Sequence, residues 1–307
     1  MTQIVGQEYW VQKGDVKLYV FRKRQASLKK GTAPVLFLMH GSSLSAIPSF
    51  DLHIPGYSDY SVMDFYAGMG FDVWTMDHEG YGRSLPRDTD NNSDVACSVE
   101  DMRLTIPLVV AETGRDKMFV YGQSGGALRA AAVAQNFPGN GQGLILDGFV
   151  WTGKGSPTLA MRAERVAEWR GAPRRKFDRA FFETIFNRDH AAFGDTLVAT
   201  AWADYEMALG DSFPTGTYFD MTAKLPLIDP TKVLCPTVIL RGEFDGIAGD
   251  DDLIDFFRLL PNKDKQFVSL SGQAHVGPQA VNRHRFLHAM TAFLQMPVRR
   301  DSLVSAT

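Results

Sequence analysis

Short runs of apolar residues, each of strand length, alternate along the chain with segments whose apolar positions recur every three or four residues. The continuous apolar runs are typical of strands that are covered on both faces. Between them, Val95–Glu112 places Met102, Ile106 and Val109 on one face and predicts a helix. The predicted core strands are Pro34–Met39, Phe71–Met76, Met118–Gly122, Gly143–Asp147, Pro236–Leu240 and Lys265–Leu270.

This alternation of strands and helices predicts the fold class α/β. Strands joined through helices form right-handed crossovers, which build a mostly parallel sheet. Two further β-rich runs, Glu8–Gln12 and Val16–Arg22, are separated by Lys13-Gly14-Asp15 and predict a hairpin. Additional helices are predicted at Val62–Gly70 and His284–Gln295. We therefore expect a mostly parallel sheet, flanked by helices, with antiparallel pairing at one edge.

Residues 152–231 interrupt the alternation between two predicted core strands. Three helices are predicted in this segment, at Leu159–Trp169, Lys176–Asn187 and His190–Leu209. Because the segment leaves the sheet at the carboxyl end of a strand, it is expected to lie over that edge as a helical cap or lid. The predicted organisation is one α/β core, formed by residues 1–151 and 232–307, with the cap inserted into it.

The stretch from Met118 to Leu128 carries the clearest chemical signal. A buried strand runs into Gly122-Gln123-Ser124-Gly125-Gly126, and an alanine-rich helix follows. A serine in so sharp a turn adopts a strained backbone conformation and needs small neighbours on both sides. This is the G-x-S-x-G nucleophile elbow, which presents the serine hydroxyl at the edge of a sheet. Ser124 is the predicted nucleophile, and the alternative interpretation is a structural turn without chemistry.

A serine hydroxyl becomes a good nucleophile when a base and an acid that orients the base lie beside it. With this elbow, the partners follow in the order serine, acid, histidine. His275 follows the last predicted strand and is the candidate base. Asp245 follows the preceding strand and is the candidate acid, with Glu243 and Asp147 as alternatives.

The remaining candidate site residues would contact the substrate. The backbone N–H of Gly125, at the start of a helix, and that of Ser42, after a strand end, are the predicted oxyanion donors. Ser43 competes with Ser42 for this role, and its hydroxyl is also a candidate substrate contact. Gln123 and Trp151 complete the predicted substrate-binding residues.

Composition excludes several other classes of protein. The chain has 307 residues and a net charge of −3, so it lacks the basic footprint of a nucleic-acid-binding protein. No apolar run approaches the roughly 20 residues that span a bilayer, and no signal-peptide pattern opens the chain. Cys97 and Cys235 lie far apart and are expected to be reduced, as in a cytoplasmic protein. The predicted chemistry requires neither a metal nor an organic cofactor.

In their order along the chain, His40-Gly41, the Asp77–Ser84 loop, the elbow, Asp245 and His275 resemble the α/β-hydrolase superfamily. The resemblance extends over nearly the whole chain and implies an eight-stranded core with the inserted segment as a lid. The Asp77–Ser84 loop is similar to that of monoacylglycerol lipases and lysophospholipases. It departs from their pattern in having Tyr81 where they have histidine.

The elbow itself departs from those lipases, with Gln123 and Gly125 where they have histidine and methionine. The chain length and the Pro48–Tyr60 loop are more similar to those of bacterial monoalkyl-phthalate ester hydrolases. Ser124 separates the chain from haloalkane dehalogenases and epoxide hydrolases, which have aspartate at this position.

These observations predict a serine carboxylic-ester hydrolase whose small-molecule substrate is a medium-sized alkyl or aryl ester, with a phthalate monoester as the narrower candidate. Alternatives are a C–C bond hydrolase, a monoacylglycerol lipase-like enzyme, and a binding protein that has the same fold but no activity. Five arginines in the cap segment bear on the substrate, because one that faced the pocket would bind a carboxylate. They are Arg162, Arg165, Arg170, Arg174 and Arg175. The alternative interpretation is a solvated helical face.

Overall fold

An eight-stranded sheet forms the centre of the computed structural model, which describes residues 2–89 and 91–297. The structure describes ten strands, of which β7 and β8 form a separate two-stranded sheet. They are β1 (Ile4–Lys13), β2 (Val16–Gln25), β3 (Val35–Met39), β4 (Asp72–Met76), β5 (Met118–Gln123), β6 (Gly141–Asp147), β7 (Arg174–Lys176), β8 (Ser212–Pro214), β9 (Thr237–Gly242) and β10 (Lys265–Leu270). The order in the main sheet is β1-β2-β4-β3-β5-β6-β9-β10. In the main sheet the β1–β2 and β2–β4 pairs are antiparallel and all other pairs are parallel, which confirms the predicted sheet.

Helices cover both faces of this sheet. They are α1 (Ala46–Phe50), α2 (Val62–Gly68), α3 (Val95–Thr113), α4 (Gly125–Asn136), α5 (Pro157–Ala163), α6 (Val166–Arg170), α7 (Arg179–Asn187), α8 (Thr196–Leu209), α9 (Gly216–Ala223), α10 (Asp250–Leu259) and α11 (Arg283–Leu294). Short 3₁₀ turns lie at Pro138–Asn140, Ala191–Phe193 and Pro230–Lys232. Local chemistry sets the ends of α3, since the Asp94 carboxylate accepts the Cys97 N–H and Gly114 ends the helix at a φ of +68°.

The continuous apolar runs are explained by burial on both faces of the sheet. In β3, Val35 and Phe37 pack with residues of α3 and α4, whereas Leu36 and Leu38 pack with residues of α2 and α11 on the opposite face. All five residues of β3 are inaccessible to solvent. A central strand therefore has no polar face, and the period-two alternation of a half-exposed strand is absent.

Residues 152–231, here called the insertion, join β6 to β9 through five helices and the small antiparallel sheet β7–β8. The predicted helix Leu159–Trp169 is two short helices, α5 and α6. The helices predicted to begin at Lys176 and His190 begin later, at Arg179 and Thr196. The reason is local: Asp178 and Asp195 cap these helices by accepting the N–H groups of Phe181 and Leu197.

The insertion packs against the core through an apolar cluster to which both contribute residues. This cluster combines Phe182, Phe186 and Trp202 of the insertion with core residues such as Leu44 and Val276. Aromatic residues thus hold the insertion over the carboxyl edge of the sheet. Among the described residues, no helix combines the length and the apolar character that a membrane crossing requires.

Candidate active site

Ser124 occupies a one-residue turn between β5 and α4. Its backbone has φ +57° and ψ −122°, a strained conformation for a residue with a side chain. The flanking glycines are required by close backbone approach. A Cβ on Gly122 would overlap the carbonyl group of Gly126, and a Cβ on Gly126 would overlap the carbonyl oxygen of Met39. The turn is therefore compact, and it places Ser124 directly at the start of a helix.

His275 and Asp245 form a buried hydrogen-bonded pair. The distance between His275 Nδ1 and Asp245 Oδ1 is 2.9 Å, and the two residues are 5% and 4% exposed. The N–H of Ile247 also donates to Asp245 Oδ1, over 3.0 Å. Burial alone would raise the pKa of Asp245, but the facing imidazole and its hydrogen bond outweigh burial and lower it. Asp245 is therefore an ionised acceptor that fixes the orientation of the His275 ring.

The two alternative acids have other partners. Glu243 is exposed and accepts hydrogen bonds from Ser271 Oγ and the Gly272 N–H, both over 2.9 Å. Asp147 is buried and accepts the Tyr121 hydroxyl over 2.8 Å, and its burial raises its pKa well above the ordinary value. Of the three carboxylates, Asp245 is the one that is hydrogen-bonded to His275.

The predicted oxyanion donors lie beside one another. A Cβ built on Gly125 would lie 3.1 Å from the backbone nitrogen of Ser42, so the loop after β3 adjoins the start of α4. The N–H of Gly125 has no acceptor within its helix because it belongs to the first turn. The backbone nitrogen of Ser42 thus lies close to Gly125, beside the turn that carries Ser124.

A cavity of about 250 Å³ opens above this turn. Ser124 and His275 line it together with Ser42, Ser43 and Gln123. Trp151, predicted as a substrate contact, does not line it. Instead, the Trp151 indole donates to the Ile228 carbonyl over 3.0 Å and packs on Phe256. The backbone N–H of Trp151 donates to the Asp252 carboxylate, and this bond fixes the course of the chain after β6.

Two helices of the insertion supply much of the remaining wall. Helix α5 and its flank contribute Thr158, Met161, Arg162 and Arg165, and helix α7 with its flank contributes Phe181, Thr184, Ile185 and Arg188. In both sets the residues are spaced i, i+3, i+4 and i+7, which is one face of a helix. The sequence interpretation had not identified Met161, Ile185 or Arg188, although this periodicity is visible once the helix bounds are known.

Three groups of side chains among the described residues have the geometry of a cation site. In two of them a lysine ammonium lies among the ligand atoms. Lys13 Nζ is 2.8 Å from Glu79 and 2.5 Å from Asp101, and Lys23 lies between Asp51 and Asp64. The third group is Asp189 with Asp245 and His275, where Asp189 pairs with Arg188 over 2.7 Å. In the first two groups the lysine already supplies the positive charge.

The sheet topology, the strained serine turn and the order of the candidate site residues define the α/β-hydrolase fold. Residues 51–190 match the family described as "Serine aminopeptidase, S33". No curated protein matches the chain in sequence.

Many solved structures share the fold. An E-2-(acetamidomethylene)succinate hydrolase has a TM-score of 0.65 at 18% identity, covering 95% of this chain and 100% of that one. A serine hydrolase from the polyaromatic-hydrocarbon-degrading bacterium Cycloclasticus zankles has a TM-score of 0.67 at 14% identity, covering 94% and 98%. A 2-hydroxy-6-oxo-6-phenylhexa-2,4-dienoate hydrolase from a Rhodococcus species has a TM-score of 0.62 at 15% identity, covering 96% and 100%.

Proposed function

We propose that the protein is a serine hydrolase that cleaves a medium-sized carboxylic ester through an acyl-enzyme. One observation carries the proposal: Ser124, in its strained turn, lines the same cavity as His275, and Nδ1 of His275 is hydrogen-bonded to buried Asp245. This combination provides a nucleophile, a base and an acid that orients the base. The insertion acts as the cap that encloses the substrate.

In the first half of the proposed reaction, Ser124 Oγ attacks the ester carbonyl carbon and its proton passes to His275 Nε2. The negative charge on the carbonyl oxygen is stabilised by the N–H groups of Gly125 and Ser42. The C–O bond to the alcohol then breaks, and the alcohol leaves with the proton from His275. In the second half, His275 takes a proton from water as the water oxygen attacks the acyl carbon. The bond between that carbon and Ser124 Oγ then breaks, His275 returns the proton to Oγ, and the acid leaves.

Covalent labelling tests this proposal directly. A fluorophosphonate probe reacts with an activated serine, so we expect one adduct per chain, located on Ser124 by peptide mass spectrometry. The Ser124→Ala variant should remain unlabelled under the same conditions. A wild-type protein that is inert to the probe would contradict the proposal and favour a binding protein with the same fold.

The charges in the cavity support a narrower substrate class. Three arginines line it, and two of them have carboxylate partners: Arg165 pairs with Glu168 over 2.8 Å, and Arg188 pairs with Asp189 over 2.7 Å. Arg162 has no carboxylate partner among the described residues. Its guanidinium lies 4.1 Å from the centre of the Tyr218 ring. A cation in such a site, without a counterion, is suited to an anionic ligand.

We infer from Arg162 that the ester carries a free carboxylate, as a phthalate monoester does. Burial lowers the pKa of Arg162 to about 10, so the side chain remains a cation at neutral pH. The apolar wall around it, which includes Trp169 and Ile185, suits an alkyl or aryl group. Two of the structural relatives are also named for carboxylate compounds, a succinate and a dienoate.

The Arg162→Gln substitution tests the substrate class. We expect it to raise KM for monobutyl phthalate by about 10- to 100-fold, because a charge-assisted hydrogen bond is lost. Hydrolysis of neutral p-nitrophenyl butyrate should change little. Arg165→Gln is the matched control, since its side chain is 65% exposed and paired with Glu168. Equal effects of Arg162→Gln on the anionic and neutral esters would exclude a carboxylate contact while leaving ester hydrolysis intact.

A further inference from the structure

The loop after β3 is held from above by an arginine of the insertion. Arg175, in β7, donates to the backbone carbonyl of Ser42 and, over 3.1 Å, to Ser43 Oγ. The Tyr81 hydroxyl donates to the same carbonyl over 3.2 Å. Among the described residues Arg175 has no carboxylate partner, and its guanidinium instead lies 4.3 Å from the centre of the Tyr218 ring. Its charge is therefore directed at the backbone of this loop.

A second arginine holds the same loop from below. Arg129, in α4, is inaccessible to solvent and donates to the carbonyl groups of His40, over 3.0 Å, and Gly41, over 3.4 Å. Its other terminal nitrogen donates to Thr217 Oγ1 over 2.9 Å. No described carboxylate pairs with Arg129. Burying a guanidinium without a counterion costs free energy, so this placement calls for a role beyond packing.

Two of the three carbonyl groups that these arginines contact belong to peptide units whose N–H groups are candidate oxyanion donors. The Gly41 carbonyl is in the same peptide unit as the Ser42 N–H, and the Ser42 carbonyl is in the same unit as the Ser43 N–H. A cation at the carbonyl oxygen polarises the whole unit and makes its N–H a stronger hydrogen-bond donor. The contact also fixes the plane of the peptide, and hence the direction of the N–H.

We propose that Arg129 and Arg175 are positioning residues that hold the Gly41–Ser43 loop in its oxyanion-binding conformation and strengthen its N–H donors. This inference rests on the proposed ester hydrolysis. Because Arg175 belongs to the insertion, the oxyanion site is complete when the insertion is in place. The insertion thus contributes to the chemical step as well as to substrate binding.

The Arg175→Gln and Arg175→Lys variants test this proposal with neutral p-nitrophenyl butyrate, which has no carboxylate for an arginine to bind. We expect Arg175→Gln to lower kcat by about 10- to 100-fold, somewhat less than the loss of an oxyanion donor itself, with KM within about twofold. Arg175→Lys should recover part of kcat because it keeps the charge. Arg129→Lys also keeps a charge, so we expect its kcat, like that of Arg175→Lys, to lie between the values for wild type and Arg175→Gln.

Arg174→Gln is the matched control from the same strand. Arg174 also donates to backbone carbonyl groups of the core, those of Gly80 and Arg87, but does not contact the Gly41–Ser43 loop. We expect its kcat to stay within about threefold of the wild-type value. An equal fall in kcat for Arg174→Gln and Arg175→Gln would show a general loss of packing and overturn the proposal.

The rate of fluorophosphonate labelling separates this proposal from the proposed function. Phosphonylation of the serine also develops charge on an oxygen in the oxyanion site, so Arg175→Gln should be labelled about tenfold more slowly than wild type. If wild type is labelled on Ser124 and Arg175→Gln reacts at the same rate with unchanged kcat, the positioning role is wrong and ester hydrolysis stands. A rise in KM alone would identify Arg175 as a substrate contact instead.

Discussion

Replacing Ser124 with alanine is expected to lower kcat toward p-nitrophenyl butyrate by about four to six orders of magnitude. The substitution removes the proposed nucleophile and leaves the proposed oxyanion donors and the cavity, which together should accelerate ester hydrolysis only modestly. Initial rates at saturating ester measure the effect. Ser269→Ala, on the exposed side of edge strand β10, is the control and should retain wild-type activity. Full activity in Ser124→Ala would show that the reaction does not proceed through this serine.

Replacing Asp245 with asparagine is expected to lower kcat by about 10⁴-fold. An asparagine amide in place of the carboxylate favours the wrong tautomer of His275 and no longer stabilises its protonated form. Asp147→Asn is the matched control. Burial raises the pKa of Asp147 well above its ordinary value, and an asparagine amide resembles the protonated acid, so this substitution changes little. Its kcat should stay within about threefold. A larger loss in Asp147→Asn than in Asp245→Asn would exchange the roles of the two carboxylates.

The pH dependence of stability gives a second measurement on the Asp245→Asn variant. The pKa of Asp245 is lower in the folded protein than its ordinary value, so its carboxylate stabilises the fold above the unfolded pKa of about 4. That contribution is lost as the pH falls through the folded pKa. The difference in free energy of unfolding between wild type and Asp245→Asn should therefore be larger at pH 7 than at pH 3.

Much of the core could be predicted because its signals are local. A strand buried on both faces, such as β3, must be apolar throughout, and that requirement is visible in the sequence. The serine turn is equally local, since Gly122 and Gly126 are required by backbone contacts within a few residues of Ser124 or at the end of β3. The candidate base and acid followed from the order of the strands.

The parts that were missed depend on contacts between distant residues. The pairing of β7 with β8 joins Arg174–Lys176 to Ser212–Pro214, and neither segment is long enough to show strand periodicity. Trp151 lies shortly after the end of β6 at Asp147, but its direction is fixed by Asp252, about a hundred residues later. No pattern near Trp151 contains that information.

Five of the seven arginines of the insertion, those singled out from the sequence, illustrate the same limit. Their number suggested a role in binding an anion, but the sequence did not indicate which of them face the cavity. Arg162 and Arg165 line it, Arg174 and Arg175 bind backbone carbonyl groups of the core, and Arg170 is exposed. Arg174 and Arg175 differ from the other three because they lie in the short strand β7, which the sequence had not predicted.

The attachment of the insertion to the core has a consequence for how an ester reaches Ser124. Glu206 accepts the N–H and the hydroxyl of Ser45, each over 2.6 Å, and the Trp202 indole donates to the Pro48 carbonyl over 2.9 Å, all in buried surroundings. A hinged opening would break these three buried hydrogen bonds together. We therefore expect the entrance to the cavity to stay open. Its dimensions would then select among esters, and its width would set the rate at which products diffuse away.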